Sequence, residues 1–291
     1  MDFRTKKLSE REGHYGNVPA MNTLFLFTLT VLANTPPQYQ DGGAHHQPAP
    51  AWGYAEDGGK DRLLPEKWNE ISPICGEGKR QSPLNIPLRK IKADKSTPIA
   101  PKLTLHYKED AFVVFHNRHT VQATAQGKAN SLEYGGVTYA LKQFHYHKKS
   151  EHLIDGEQYL AEVHFVHEAK PGELLVIGIF ADQTGTGDNF VKALKKVLDK
   201  YSGKGDRYSP NNLKINPLDF FPEDKNFVNY AGSLTTPPCS EAVTWLVMPS
   251  VMKAGEALQA YVKKKKFDVG FKNFRPHFEA GDRVFSLSDQ N

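Results

Sequence analysis

The sequence predicts a mainly β protein with a few helices. Six segments rich in β-branched and aromatic residues lie between Lys102 and Ala181. Only two stretches carry a credible helical pattern. No internal repeat of roughly 20–50 residues occurs, and no Gly-rich phosphate loop or Gly-x-Ser-x-Gly elbow is present. With 291 residues, 39% of them hydrophobic, the chain can bury one large core or divide into two domains.

From the N-terminus, residues 24–33 (Leu-Phe-Leu-Phe-Thr-Leu-Thr-Val-Leu-Ala) form the longest strongly apolar stretch. It is shorter than the ~20 residues of a membrane span and suits the apolar core of a secretory signal peptide. Val31 and Ala33 stand at the −3 and −1 positions of a cleavage site. Arg4, Lys6, Lys7 and Arg11 precede the stretch at some distance; Met21 is an alternative start, which leaves only the terminal amine as positive charge. The competing reading is a buried hydrophobic strand. Export is favoured because residues 34–50, rich in Pro, Gln, Gly and His, read as a disordered linker. His45 and His46 within it read as incidental. The expected organisation is an extension with a signal peptide over 1–33, a linker over 34–50 and a folded domain over 51–291, ordered from Trp52-Gly53-Tyr54 onward. No stable membrane span is expected in the mature form.

The strands follow in order. Lys102–Tyr107 alternates, with Leu103 and Leu105 on one face, and Ala111–His116, His119–Ala125, Val137–His147, Tyr159–His167 and Leu174–Ala181 come after it. Phe190, Ala193, Leu194, Val197, Leu198 and Tyr201 recur at helical spacing, and Gly203 ends the stripe. Glu256–Lys265 is the second helix. Net charge is +4, from 37 basic and 33 acidic residues interspersed along the chain, which gives no reason to expect a nucleic-acid partner. The Lys263–Lys266 run reads as the solvated end of a helix rather than a polyanion site. The two cysteines, Cys75 and Cys239, are too few for a four-thiolate zinc site. They would be free in a cytosolic protein and paired in an exported one.

His145-Tyr146-His147 and His164 carry the chemistry. Strand side chains alternate, so His145 and His147 project from one face about 7 Å apart, while Tyr146 points away. A neighbouring strand can set His164 opposite them. Three neutral imidazoles with an open fourth position make a catalytic zinc site rather than a structural one. Glu162 shares the face of His164, where a carboxylate is costly unless paired and where a ligating ring commonly donates its second N–H. A solvent-facing charge on an edge strand is the alternative, and apolar Val166 on the same face argues against it. Gln143 stands in the same relation to His145. His152 and His167 read as structural, and His14, His106, His116 and His277 have no evident partners in the sequence.

These residues resemble the α-carbonic anhydrase family over nearly all of Trp52–Leu287. Gln143-Phe144-His145-Tyr146-His147 with Ser150-Glu151-His152 is similar to the family's first metal segment, and Ala161-Glu162-Val163-His164-Phe165-Val166-His167 to its second. Gly232-Ser233-Leu234-Thr235-Thr236-Pro237-Pro238 resembles its most specific loop. Gln81-Ser82-Pro83-Leu84-Asn85-Ile86, the Trp52-Gly53-Tyr54 opening and Asn273-Phe274-Arg275-Pro276 agree in order and spacing. The resemblance implies a single domain around a large, twisted, mostly antiparallel central sheet, ten-stranded in many members. It implies reversible hydration of carbon dioxide to bicarbonate by zinc-bound hydroxide, with slow ester hydrolysis as a side activity.

Residue by residue, the resemblance implies His145, His147 and His164 as zinc ligands. Thr235 would accept a hydrogen bond from the hydroxide and donate one to Glu151. The Thr235 N–H and Thr236 would contact bicarbonate or an anionic inhibitor. Val166, Val176, Leu234, Val243 and Trp245 would form an apolar wall for carbon dioxide. His119 would be the proton shuttle, with Tyr54 and Gln122 ordering water. Cys75 and Cys239 match the paired cysteines of secreted members, so a secreted or periplasmic protein is expected. Sulfonamides and small anions are the inhibitors implied, and a monomer or homodimer is expected. Lys148 stands where many animal members have Trp, Phe274 replaces another common Trp, and only Lys148, Lys149 and Ser150 separate His147 from Glu151, as in bacterial members. A catalytically dead member would lack one or more metal histidines, and an unrelated zinc hydrolase would want a His-Glu-x-x-His motif, which is missing.

Overall fold

A computed structural model describes residues 52–54, 62–117, 119–184, 189–199, 213–253 and 273–288. The segments read as signal peptide and linker, with His14, His45 and His46, lie outside the described residues. So do Tyr201, Gly203, the Glu256–Lys265 helix with its lysine run, and the side chains of His116, Phe190 and Leu198.

Fifteen strands are described: β1 (Leu84–Ile86), β2 (Ile99–Ala100), β3 (Leu103–His106), β4 (Asp110–His116), β5 (Val121–Ala125), β6 (Ser131–Tyr134), β7 (Val137–Lys148), β8 (Leu153–Ile154), β9 (Ala161–Glu168), β10 (Leu174–Asp182), β11 (Leu213–Ile215), β12 (Val228–Gly232), β13 (Val243–Lys253), β14 (Phe278–Glu279) and β15 (Phe285–Ser288). Twelve form one sheet, ordered β11-β4-β5-β7-β9-β10-β13-β12-β15-β2, with β3 and β6 paired off that path. Its pairs are antiparallel except β10–β13 and β15–β2. The main path is the ten-stranded, mostly antiparallel sheet expected. A separate small sheet runs β14-β1-β8. Three short α-helices, α1 (Ile74–Glu77), α2 (Leu88–Ala93) and α3 (Asn189–Asp199), and two 3-10 helices, Pro65–Glu70 and Pro217–Phe220, complete the described elements.

All six expected strands form, with shifted ends. The third begins at Val121 rather than His119, because Asn117 Oδ1 accepts from the backbone N–H groups of His119 and Thr120 and turns the chain there. The most central strand not expected is β13. Val243 and Trp245–Met248 are all buried, so the run has no apolar–polar alternation to mark it.

The sheet has two covered faces. On one, Phe144, Tyr146, Val163, Phe165, Leu175, Ile177, Leu246 and Met248 form the larger core. There α3 docks Ala193, Leu194 and Val197, part of its expected apolar stripe. Phe144 and Phe165 stack at 5.0 Å beside Phe220, and each buried aromatic stabilises the fold by about 1.5–3 kcal/mol. The other face carries Val176, Phe180, Val243, Trp245 and Val247. The alternation along β7 and β9 sends His145, His147, Glu162 and His164 to that second face.

His167 points into the larger core, as its odd spacing from His164 requires. Tyr107 Oη and His167 Nε2 are 2.5 Å apart, and His167 Nδ1 donates to the Leu175 carbonyl at 3.2 Å. Burial pushes the imidazole down to about 3, against the smaller pull of backbone carbonyls. Between pH 3 and about 6.5 the unfolded chain therefore binds a proton that the folded chain refuses. This contribution is present above pH 6.5 and is lost as pH falls toward 3. Urea unfolding at pH 7 and pH 5 should show His167→Gln losing about 2 kcal/mol of the wild-type pH dependence; an unchanged difference would count against it.

The third cluster is Tyr54, Trp68, Cys75 and Cys239 with Trp52, Leu63 and Ile74 packed around it. Cys75 and Cys239 are joined across a sequence separation of 164. Closing so long a loop stabilises by up to about 5 kcal/mol in the chain-entropy model. Replacing both cysteines with serine should lower the melting temperature by about 10–20 °C, read by calorimetry; a shift of a degree or two would show that the bridge contributes little.

Candidate metal centre

In β7 and β9, His145 stands opposite His164, and His147 opposite Glu162. The ring centroids of the three histidines lie 4.5 to 5.3 Å apart. One nitrogen from each lies within 4.8 Å of the others. The remaining nitrogen of each ring is committed. His145 Nδ1 donates to Gln143 Oε1 at 2.8 Å, His147 Nδ1 to the Asn273 carbonyl at 2.6 Å, and His164 Nε2 to Glu162 Oε1 at 2.8 Å. That fixes the tautomers and leaves His145 Nε2, His147 Nε2 and His164 Nδ1 as lone-pair donors. His147 Nε2 is buried with no hydrogen-bond partner. Three converging neutral imidazoles, one with an orphaned buried nitrogen, fit a divalent cation such as zinc.

Electrostatics keep two of the rings in the metal-binding form. Burial, with His147 and His164 close by, holds His145 well below the usual imidazole range. Burial also lowers His147, although Glu151 and the Asn273 carbonyl pull the other way. For Glu162 the balance reverses. Burial would raise its carboxyl, but His152 and His164 hold it well below the usual range. Glu162 is fully buried and accepts four N–H groups. Oε1 takes His152 Nδ1 and His164 Nε2, and Oε2 takes the backbone N–H groups of Glu151 and His152. His152 is thus a structural bridge, as expected, and its Nε2 meets Tyr230 Oη at 2.7 Å.

Glu151 accepts from the Arg275 backbone N–H through Oε1. Its Oε2 lies 3.4 Å from His147 Nε2 and 3.8 Å from His164 Nδ1, and has no hydrogen-bond partner. The expected Thr235-to-Glu151 hydrogen bond is not formed among the described residues, because Oε2 is turned toward the imidazole nitrogens. Thr235 itself is buried. Its loop is pinned from both sides: Ser233 and Ser82 exchange two hydrogen bonds, and Trp245 Nε1 donates to the Ser233 carbonyl. The Thr236 carbonyl accepts from the Cys239 N–H.

Val166, Val176, Leu234, Val243 and Trp245 all join one apolar cluster. Val166 pairs with Val176, which pairs with Trp245, so the wall crosses three strands. Trp245 also lies 4.8 Å from His164, centroid to centroid. The His119 ring is stacked on Trp52 at 3.7 Å and 9°. Tyr54 approaches it edge-on at 6.3 Å. Gln122 pairs in register with His145.

Two supporting residues had no assigned role from the sequence. Asn273 accepts from His147 through its carbonyl and from Lys148 N through Oδ1, and donates to the Tyr146 carbonyl. The buried Arg275 guanidinium donates to Gln81, to the Ser82 carbonyl and to the Cys75 carbonyl. Both sit in the Asn-Phe-Arg-Pro segment, but a separation of more than 120 residues from the metal strands hides the contact. His106 and His277 do find partners, Glu133 at 3.3 Å and Glu279 at 3.6 Å, and the pairs are solvent-exposed.

The chain matches the family model for eukaryotic-type carbonic anhydrase over residues 63–288. It is 35% identical to a carbonic anhydrase of Nostoc sp. over 237 residues, 80% of this chain and 84% of that one. To a carbonic anhydrase of Neisseria gonorrhoeae it is 34% identical, covering 77% and 83%. Among solved structures, the α-carbonic anhydrase of Thermovibrio ammonificans bound to the inhibitor sulfanilamide superposes with a TM-score of 0.66 at 34% identity, covering 85% of this chain and all of that one. The α-carbonic anhydrase of Photobacterium profundum gives a TM-score of 0.66 at 33% identity, covering 81% and 99%.

Replacing any one of His145, His147 or His164 with alanine should abolish stoichiometric zinc binding. Metal analysis after dialysis against a chelator checks this, and full zinc retention in His164→Ala would refute the site as drawn.

Proposed function

We propose, for a chain that belongs to the eukaryotic-type carbonic anhydrase family and is thereby a carbonic anhydrase, that carbon dioxide hydration runs at a zinc ion held by His145, His147 and His164. The observation that carries this reading is the triad itself: each ring has one nitrogen committed to a named acceptor and the other free toward a common point. When bound, zinc supplies Lewis acidity that lowers the pKa of a water molecule to about 7.

The protein's residues do the rest. Gln143, the Asn273 carbonyl and Glu162 hold the three rings in place. Carbon dioxide has no charge to grip, so the wall of Val166, Val176, Leu234, Val243 and Trp245 positions it by apolar contact. Thr235 orients the nucleophile through its hydroxyl, whose proton Glu151 Oε2 would take in a hydrogen bond once it turns from the imidazole nitrogens it now faces. The Thr235 N–H and Thr236 receive bicarbonate. The same groups would take sulfonamides and small anions, in line with the sulfanilamide complex of the Thermovibrio relative. Slow ester hydrolysis at the same centre follows as a side activity.

Each turnover releases a proton that must leave the site. An imidazole with a pKa near 6.5 can accept it and pass it to buffer at neutral pH. His119 fills that role, with Tyr54 and Gln122 ordering the water between. Residues 1–33 act as a leader with a signal peptide and 34–50 as a linker before the catalytic domain, delivering a secreted or periplasmic enzyme, monomeric or homodimeric. The Cys75–Cys239 bridge supports an oxidising compartment.

Stopped-flow carbon dioxide hydration by zinc-loaded and chelated protein tests the reading; equal rates in both would end it. For His119→Ala, kcat in weak buffer should fall about ten-fold or more while kcat/KM stays nearly constant. Concentrated imidazole should restore much of kcat. A parallel loss of kcat/KM would remove His119 from the proton path.

A further inference from the structure

We propose that Gly178 is a positioning residue for the metal centre: its missing side chain is the space that the Glu162 carboxylate occupies, so this strand position sets zinc affinity without itself supplying a ligand. Gly178 lies in the interior of β10, opposite His164 on one side and Val247 of β13 on the other. Glycine weakens a strand interior, and there it commonly marks a close approach by another group. It is not needed here for backbone conformation, since Gly178 is not among the positive-φ residues.

Steric space is the reason that remains. A Cβ at Gly178 would stand 2.7 Å from Glu162 Oε1, about 0.7 Å inside the 3.4 Å at which ordinary contact begins. The next atoms, Glu162 Cδ and Trp245 Cζ3, are 3.7 and 3.8 Å away and offer no conflict. The clash falls on the one oxygen that takes both the His164 and His152 ring N–H groups. The end of a flexible side chain could swing aside, but this one is fully buried and held by four donors at 2.7 to 2.8 Å. A methyl group would push Oε1 away from His164 Nε2. That hydrogen bond orients the ring and raises its basicity toward a metal.

The inference rests on the zinc reading, and the wild-type protein tests that separately. Zinc affinity is measured by chelator competition for wild type, Gly178→Ala, Glu162→Asp and the double variant, together with visible spectra of the cobalt-substituted proteins. If wild type binds no stoichiometric zinc, the zinc reading fails and the inference with it. If it binds, Gly178→Ala should weaken zinc by about ten-fold or more, the size typical of outer-sphere partners, and shift the cobalt absorption. Glu162→Asp shortens the carboxylate and withdraws it from the new methyl. The double variant should then bind zinc no more weakly than Glu162→Asp alone, because both changes act on one contact. Wild-type zinc affinity in Gly178→Ala, or losses that multiply in the double variant, would overturn the proposal. Should Gly178→Ala fail to fold, a folded double variant supports it. A double variant that fails while Glu162→Asp folds would place the need for glycine elsewhere.

Discussion

The buried carboxylate of Glu162 is the interaction on which the rest of the centre depends. Taking an ion out of water costs several kcal/mol even after relaxation. That cost is tolerable only because both oxygens are filled, by two backbone and two imidazole N–H groups. The arrangement constrains everything around it. The loop at Glu151 and His152 must present its backbone to β9. His164 must place Nε2 inward, so Nδ1 faces the other two histidines. His152 must reach Tyr230, which meets Ser82, and Ser82 grips Ser233 at the start of the Thr235 loop. A continuous run of hydrogen bonds thus joins His164 of the triad to the Thr235 loop.

Sheet topology decides what lies beside this network. An antiparallel meander alone would give the metal strands similar neighbours on both sides. Instead β10 pairs antiparallel with β9 and parallel with β13. The parallel pair carries the row Val166, Val176, Trp245 across three strands next to the triad, so charge-fixing and apolar residues share one face. The opposite face of the same strands packs Phe144, Phe165 and α3 into a core free of catalytic duties. Rigidity on one face supports precision on the other.

The sequence made the metal centre legible because its parts are local and periodic. His145 and His147 lie two apart, as do Glu162 and His164, and strand alternation alone puts each pair on one face. Gln143 and Glu162 followed from the same count. The six hydrophobic strands were readable for the same reason. What could not be read were contacts without periodicity. Asn273 reaches His147 with a backbone carbonyl, which no side-chain pattern encodes. Central β13 is buried on both faces, and short strands such as β2, β8 and β14 have two residues each. The direction of Glu151 Oε2 is a matter of side-chain torsion, so the sequence could not show that it faces the imidazoles rather than Thr235.

Strands and loops divide the work of the site. All three imidazoles and Gln143 and Glu162 stand on β7 and β9, where ladder hydrogen bonds fix every second side chain to one direction. A trio of rings with centroids about 5 Å apart needs that precision. Thr235 and His119 stand outside strands. These residues are steadied by other means. The Thr235 loop is tied to α1 by the disulfide and to the segment after that helix by Gln81 Nε2 on the Cys239 carbonyl. His119 is held by Asn117 Oδ1 at its backbone and by the Trp52 face at its ring. His152, by contrast, is bonded at both ring nitrogens and braces Glu162 against Tyr230, while His119 lies flat on Trp52.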